Sequence, residues 1–327
     1  MVIGIPRALY DYYYHPLWAG IFESLGMKVI SSPPTNQQIL QAGVKVCPAE
    51  LCVPIKIFCG HVAELMDRSD YVFVPRLVSM HNREWFCPKF LGLPDLVRHT
   101  VPGAMKKVLS PDIRTDGTDH GFTVKSLMEI AGPLGVAKNE MKKALAAGTA
   151  AFGRFRELCE AGHTLDEAAL LLKGRAPKAS LESPELTLGI IGYVYNIYDS
   201  AISMDILKRL RAMNVKPITF ETLGEEVLQN PRQPGKKIFW TFTRKTYNAA
   251  KIMMERPDLD GLIHVTAFGC GPDSVMGKML EMDCETAGMP FMTIRVDEHS
   301  GENHLQTRME AFVDMLIRKK RRTRSVI

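Results

Sequence analysis

Short apolar runs of strand length alternate with segments of helical periodicity along most of the chain. The runs typical of strands are residues 2–5, 28–31, 71–75, 186–191, 217–220, 238–241, 262–267 and 291–294. A strand followed by a helix and then by another strand is the repeating unit of a parallel sheet that helices cover. The alternation therefore predicts an α/β fold with mainly parallel sheets.

The central part of the chain has a different pattern. Residues 141–147, 152–159 and 165–173 show helical periodicity and are rich in Ala, Leu and Lys. We therefore predict an N-terminal α/β domain with cysteine-rich loops over 1–105, a helical connecting segment over 106–184 and a C-terminal α/β domain over 185–327. Each α/β domain begins with an apolar strand, a turn and a helix, which predicts two similar folds. Two such sheets would face a central cleft at the carboxyl ends of their strands, where α/β proteins bind ligands.

Charge and composition exclude several classes of protein. Apolar residues make up 46% of the chain and charged residues 24%, so wholesale disorder is excluded. The net charge is +5, but residues 318–324 hold six basic side chains and no acid, so the rest of the chain is close to neutral. The basic character therefore belongs to a solvated tail and does not indicate a nucleic-acid-binding face. Because no uncharged apolar stretch approaches about 18 residues, we expect no membrane span and a cytoplasmic location.

The seven cysteines are unevenly distributed. Four lie in the first 87 of the 327 residues, and an odd number in a reducing compartment argues against disulfides. The cysteines that lie beside or near Pro or Gly, on stiff backbone typical of a strand end, are Cys47, Cys52, Cys87 and Cys270. Thiolates on such loops suit a soft metal or an iron–sulfur cluster. They predict a site for one inorganic centre.

Other interpretations of the same residues stay open at this point. Cysteines are commonly buried as small apolar side chains, and we favour that role for Cys159 and Cys284, which lie in helical contexts. Cys59 lies at the expected start of a helix and is ambiguous. The paired spacing typical of zinc sites does not occur, so spacing alone leaves a zinc site, a reactive thiol and a cluster as alternatives.

Several polar residues near predicted strand ends are further candidates. For His61, a structural role with satisfied hydrogen bonds is favoured over a place near the cluster. Arg7 and Arg76 follow strand ends, so they are expected either to bind anionic groups or to form ion pairs within the fold. A polar group after the last strand suggests acid–base chemistry or, as favoured here, a capped turn; its members are Asp297, Glu298, His299 and Glu302.

Sequence blocks spread over nearly the whole chain resemble a known family. They are residues 3–9 (IGIPRAL), 32–36 (SPPTN), Cys47 with Glu50, 52–56 (CVPIK), 60–62 (GHV), 71–76 (YVFVPR), 87–95 (CPKFLGLPD), 268–274 (FGCGPDS) and 297–302 (DEHSGE). Together these blocks are similar to the 2-hydroxyacyl-CoA dehydratase superfamily, and specifically to its small proteins related to the acyl-CoA dehydratase activase. Only the central helical part lies outside the resemblance.

The resemblance implies two Rossmann-like domains with an oxygen-sensitive iron–sulfur cluster between them, as in anaerobic metabolism. It also implies a partner activase that hydrolyses ATP to donate a low-potential electron. Cys52, Cys87 and Cys270 match the cluster cysteines of the family, and Cys47 is the candidate for a fourth ligand. The chain has no G-x-x-x-x-G-K-[ST] loop, so we expect ATP to be handled by another protein.

The function that we expect is an iron–sulfur protein that uses electrons from the activase for a difficult reduction or a radical elimination. Three cysteine ligands to a 4Fe-4S cluster would leave one iron open to an acyl-CoA or another small substrate, whereas four would favour an electron carrier. The positions of Cys159 and Cys284 argue against a double-cubane cluster. Alternatives are a non-enzymatic electron-transfer or scaffold subunit and a zinc-stabilised α/β protein; a homodimer is expected by family analogy.

Overall fold

The protein has a mixed α/β fold with parallel sheets, which confirms the predicted class. A computed structural model describes residues 1–80, 84–114, 120–177, 181, 183–224, 228 and 238–324. These residues group into two compact units. The first unit comprises Met1–Leu158 and Lys237–Arg244, and the second comprises Cys159–Lys236 and Lys245–Ile327. This grouping places much of the predicted connecting segment within the first unit.

The first 160 residues alternate between strands and helices. The strands are β1 (Val2–Ile5), β2 (Lys28–Ser31), β3 (Tyr71–Phe73), β4 (Arg76–Ser79), β5 (Val108–Leu109) and β6 (Asp112–Arg114). The helices are α1 (Asp11–Ser24), α2 (Gln37–Val46), α3 (Val53–Leu65), α4 (Pro88–Leu91), α5 (Leu93–Thr100), α6 (Val124–Met128), α7 (Ala131–Leu134) and α8 (Lys138–Glu160). A 3₁₀ turn covers Ala104–Lys106.

The remaining residues repeat this alternation. The strands are β7 (Leu186–Ile191), β8 (Val215–Thr219), β9 (Gly261–Ala267) and β10 (Phe291–Val296). The helices are α9 (Leu165–Leu172), α10 (Val194–Tyr198), α11 (Ser200–Ser203), α12 (Ile206–Ala212), α13 (Thr241–Met254), α14 (Gly271–Thr286) and α15 (Glu302–Arg324), with a 3₁₀ turn at Phe220–Thr222. Among the helices of the described part, none is both long and apolar enough to cross a lipid bilayer.

The two main sheets have the same strand order. The sheet of the first unit runs β2-β1-β3-β5, and that of the second runs β10-β9-β7-β8, with every pairing parallel. Within each unit, the first strand therefore lies between the second and the third, and the order reverses beside it. Open α/β sheets bind ligands outside the carboxyl ends of their strands at such a reversal. The prediction that the two units face a central cleft stays a prediction.

Proline and asparagine fix several element boundaries. The strands β3 and β5 continue as the two-stranded parallel sheet β4–β6, and the interruption falls at Pro75 and Pro111, which lack an N–H to donate. Helix α2 begins after Asn36, whose side chain accepts a hydrogen bond from the Ile39 N–H at 3.0 Å.

Three sequence-based predictions of local structure are wrong. Residues 238–241, expected as a strand, form only an isolated bridge between Trp240 and Trp85, and helix α13 begins at Thr241. The aromatic side chains explain the strand-like pattern: Phe242 stacks on Tyr10 in the core of the first unit. The segment after Cys52, expected as a loop, is the first turn of α3, and the strands β5 and β6 lie in the segment expected to be helical.

Candidate metal centre

Three of the four predicted ligands share one local structure. Each is the residue that precedes a helix, and each is followed by a proline in the first helical turn: Cys52 by Pro54 in α3, Cys87 by Pro88 in α4, and Cys270 by Pro272 in α14. Proline fixes the backbone of a first turn and needs no hydrogen-bond acceptor there. All three thiols are half-buried on a backbone that proline makes rigid.

Cys52 and Cys87 lie together in the first unit, beside Lys89. Burial raises the pKa of the Cys52 thiol, the Lys89 ammonium and the Ile55 N–H lower it, and the neighbouring Cys87 raises it. Lys89 also hydrogen-bonds the Cys52 sulfur. Two thiols and an ammonium group at one place can bind a soft metal while the cation offsets part of the thiolate charge.

Cys47 has a different neighbour, Cys59. Cys47 is the residue after α2, and its thiol is hydrogen-bonded to that of Cys59, which is fully buried inside α3. This hydrogen bond and the nearby Lys56 ammonium lower the pKa of Cys47 against the opposing effect of burial. The pKa of Cys59 is raised by the same hydrogen bond and by burial. The four N-terminal cysteines therefore form two pairs, and Cys59 lies within a helix and not at its start.

Two glycines allow α2 and α3 to approach closely enough for the second pair. A Cβ atom on Gly43 would lie 1.8 Å from the Lys56 carbonyl oxygen, and one on Gly60 would lie 2.0 Å from the Ile39 carbonyl oxygen. Only glycine fits where two backbones cross at this distance. Since Cys59 adjoins Gly60 and Cys47 lies one turn beyond Gly43, this crossing sets the separation of the two thiols.

The first unit also contains a buried histidine on α3 that contacts the loop after β2. His61 Nε2 lies 2.8 Å from Thr35 Oγ1, and its Nδ1 lies 2.8 Å from Ser32 Oγ. Burial, with a smaller effect of the positive charge of Arg7, lowers the pKa of His61 to about 4. The imidazole is therefore neutral at pH 7, and the predicted structural role of His61 is confirmed.

In the second unit, Cys270 follows β9, one of the two strands at the reversal of strand order. One turn into α14, the buried Asp273 carboxylate lies 3.1 Å from Nε2 of the buried His264. A Cβ atom on Gly277 would lie 2.7 Å from the His264 ring, so the glycine makes room for the imidazole. This pair joins the first turn of α14 to β9 and so holds the backbone at Cys270 in place.

The other candidates have structural roles. Asp297 Oδ1 accepts hydrogen bonds from the His299 N–H at 2.9 Å and from Ser300 Oγ at 2.9 Å, which confirms the turn; the Glu302 side chain lies outside the described residues. Arg76 forms ion pairs with Asp95 at 2.8 Å and with Asp112 at 3.0 Å, which is the second of the two roles expected for it. Cys159 and Cys284 are buried, as expected for them.

Part of the basic tail is bound to the second unit. Lys320 Nζ donates to the Glu185 carbonyl at 3.0 Å and to Asp260 at 2.9 Å, and Arg321 pairs with the Glu185 carboxylate at 3.0 Å. These contacts correct the expectation of a solvated tail at Lys320, whereas the Arg321 side chain stays 74% exposed, as expected. The cause is the acidic edge formed by Glu185, just before β7, and Asp260, just before β9.

In the described part of the chain, no three His, Cys, Asp or Glu side chains are grouped closely enough to hold a single metal ion. A cluster separates its cysteine sulfurs more widely than one ion does, because each sulfur binds a different iron. Lys56, Lys89 and Asp273 lie within the sequence blocks that carry the resemblance, but the sequence assigned them no role, and His264 lies outside these blocks.

Two family models match the chain and together extend over almost all of it. The model described as the CoA enzyme activase uncharacterised domain matches residues 2–223. The model of the D-component of 2-hydroxyglutaryl-CoA dehydratase matches residues 211–316. The first match includes the cysteine pairs of the first unit, and the second includes Cys270. Among proteins of curated function, none matches this chain.

Proposed function

Because the chain belongs to the 2-hydroxyacyl-CoA dehydratase and activase family, we propose that it is an iron–sulfur protein of the dehydratase type. In this proposal it accepts low-potential electrons from an ATP-dependent activase and uses them for a difficult reduction or a radical elimination. The observation that carries the proposal is the pairing of Cys52 and Cys87 beside Lys89, on helix starts that proline makes rigid.

The proposed ligands of a 4Fe-4S cluster are Cys52, Cys87 and Cys270, which have the same position before a helix. The donor set fits such a cluster, since thiolates are its usual ligands and the Lys89 ammonium would offset negative charge. When bound, the cluster supplies one-electron chemistry, and a coordination set of three thiolates leaves one iron open to substrate. The Cys47 thiol is hydrogen-bonded to Cys59, which supports the three-ligand set over Cys47 as the fourth ligand.

The chain's own residues would orient the ligands and the substrate. His264 and Asp273 hold the turn at Cys270, and the neutral His61 ties α3, and with it the Cys52 backbone, to the loop after β2. Arg7 is exposed after β1, at the reversal of strand order, where a cation suits the phosphates of an acyl-CoA substrate.

None of the seven cysteines forms a disulfide, which supports a reducing cytoplasmic location. A homodimer remains part of this proposal.

The cofactor is tested by anaerobic purification followed by iron and acid-labile sulfide analysis and absorption spectroscopy. We expect brown protein with absorbance at about 400 nm, as cluster proteins show. Cys52→Ser and Cys87→Ser should lose most of the iron, while Cys159→Ser, which removes a fully buried cysteine, should retain it. Colourless protein that contains zinc would refute the proposal.

Enzyme and electron carrier are separated by adding acyl-CoA thioesters to the cluster-loaded protein. An open iron predicts that a thioester changes the cluster spectrum and that Cys47→Ala leaves both the iron content and this response intact. Loss of iron from Cys47→Ala, together with no response to any thioester, would favour the electron-transfer or scaffold subunit.

A further inference from the structure

The Cys47–Cys59 pair has a chemical use that the proposed cluster does not require. The two sulfurs are hydrogen-bonded to one another, Cys47 is half-buried, and Cys59 has no exposed surface. We infer that this pair is a peroxide-reactive dithiol site, in which Cys47 is the attacking thiol and Cys59 the resolving thiol. The co-reactant is a hydroperoxide, with hydrogen peroxide the simplest member of that class.

The fold brings the two thiols together and holds them there. Gly43 and Gly60 let the backbones of α2 and α3 cross within contact distance, and each cysteine lies at most one turn from this crossing. A disulfide needs Cα atoms within about 7 Å and side chains that point toward each other. The side-chain contact between Cys47 and Cys59 and the close crossing of their helices favour this pairing.

The surroundings of the two cysteines assign their roles. The nucleophile in thiol oxidation is the thiolate, which a neighbouring ammonium group favours. Lys56 lies one turn before Cys59 on α3, its Nζ donates to the Ala49 carbonyl at 2.9 Å, and its positive charge acts on Cys47. Since Cys59 has no contact with solvent, a peroxide can reach only Cys47.

The reaction balances in two steps. The Cys47 thiolate attacks one oxygen of hydrogen peroxide, the O–O bond breaks, and Cys47 sulfenic acid and hydroxide form. The Cys59 sulfur then attacks the Cys47 sulfur, the S–O bond breaks, and a disulfide and water form. The thiols lose two electrons and the peroxide gains them. The disulfide closes the segment 47–59, which contains the proposed cluster ligand Cys52.

The experiment treats the anaerobic full-length protein with one equivalent of hydrogen peroxide and blocks the remaining thiols with N-ethylmaleimide. Trypsin cleaves after Lys56, so a Cys47–Cys59 bond links the peptides 46–56 and 57–68, and fragmentation distinguishes Cys47 from Cys52. We expect this linked species to be the main disulfide. A principal bond from Cys52 to Cys47 or to Cys87, or no disulfide after the peroxide is consumed, would overturn the inference.

Variants test the two roles separately. Cys59→Ser should leave Cys47 as a sulfenic acid that dimedone traps, and Cys47→Ser should leave Cys59 reduced. Cys284→Ser is the matched control: Cys284 is also fully buried, but its sulfur neighbour is Met254 at 3.9 Å, so its loss should leave the Cys47–Cys59 bond unchanged. Equal disulfide yield in Cys59→Ser and the wild type would refute the assignment. Iron content, measured on the same samples, reports separately on the proposed function.

Discussion

Replacing Gly60 with alanine would place a methyl group at the crossing of α2 and α3. The new Cβ atom would lie 2.0 Å from the Ile39 carbonyl oxygen, while separations under 3.0 Å essentially never occur. Because the obstructing atom belongs to the backbone, no side-chain rotation relieves the clash, and the helices must separate by about 1 Å. The same crossing sets the distance between Cys47 and Cys59, so the variant changes both stability and thiol chemistry.

The magnitude follows from two opposing effects. Overpacking of a close contact costs about 1–3 kcal/mol and sometimes more, and alanine in a helix gains about 1 kcal/mol over glycine. With a backbone clash the cost lies at the upper end, so we expect a net loss of about 2 kcal/mol in the free energy of unfolding. For a unit of this size the loss lowers the melting temperature by about 4–8 °C. The peroxide-induced Cys47–Cys59 bond should decrease in parallel.

Gly153→Ala is the matched control in thermal unfolding monitored by circular dichroism. Gly153 lies inside α8, and a Cβ atom there would have no neighbour within 4 Å. The same substitution should therefore leave the melting temperature unchanged or raise it, by up to about 1 kcal/mol of stability. A Gly60→Ala protein as stable as the wild type, with its thiol pair still reactive, would refute the reasoning.

Three further predictions concern charged groups of the first unit. The pKa of His61 is lowered to about 4, so the unfolded state takes up a proton first as the pH falls below about 6.5. Up to about 3 kcal/mol of the free energy of unfolding is therefore lost by pH 4. Urea unfolding of His61→Gln should show a smaller loss of this free energy over the same pH range. Arg244→Met breaks a buried ion pair with Glu84 at 2.9 Å and should cost about 3–5 kcal/mol in thermal unfolding, whereas the exposed Arg68→Met should cost less than about 1 kcal/mol. Lys89→Met removes the ammonium group beside the Cys52 thiol, so iodoacetamide should alkylate Cys52 more slowly in metal-free protein.

Local sequence signals predicted the elements that are determined by neighbouring residues. The apolar runs of residues 2–5 and 186–191 indicated the strands β1 and β7 because buried strands need such runs. The helix starts at Cys52 and Cys87 were missed, although a proline just after each is typical of a first turn. The strand predicted at 238–241 failed because aromatic packing in the tertiary structure decides between the two conformations there.

The candidate site was predictable only in part, because its pairs depend on contacts between distant residues. Proline and glycine neighbours identified Cys52 and Cys87, but not that Lys89 would approach the Cys52 sulfur. The pairing of Cys47 with Cys59 depends on the crossing of α2 and α3, and nothing in the spacing of two glycines shows which helices will cross there. The positions of all seven cysteines in the sequence therefore could not distinguish cluster ligands from a second thiol pair.

The most direct test is the iron and sulfide content of anaerobically purified Cys270→Ser, compared with the wild type and with Cys284→Ser. The second unit contains both cysteines, but only Cys270 is half-buried and precedes a helix with a proline in its first turn. If one cluster joins Cys270 to Cys52 and Cys87, Cys270→Ser loses most of its iron and sulfide while Cys284→Ser retains both. Full iron and sulfide in Cys270→Ser would contradict the account, because its cluster would then depend on the first unit alone.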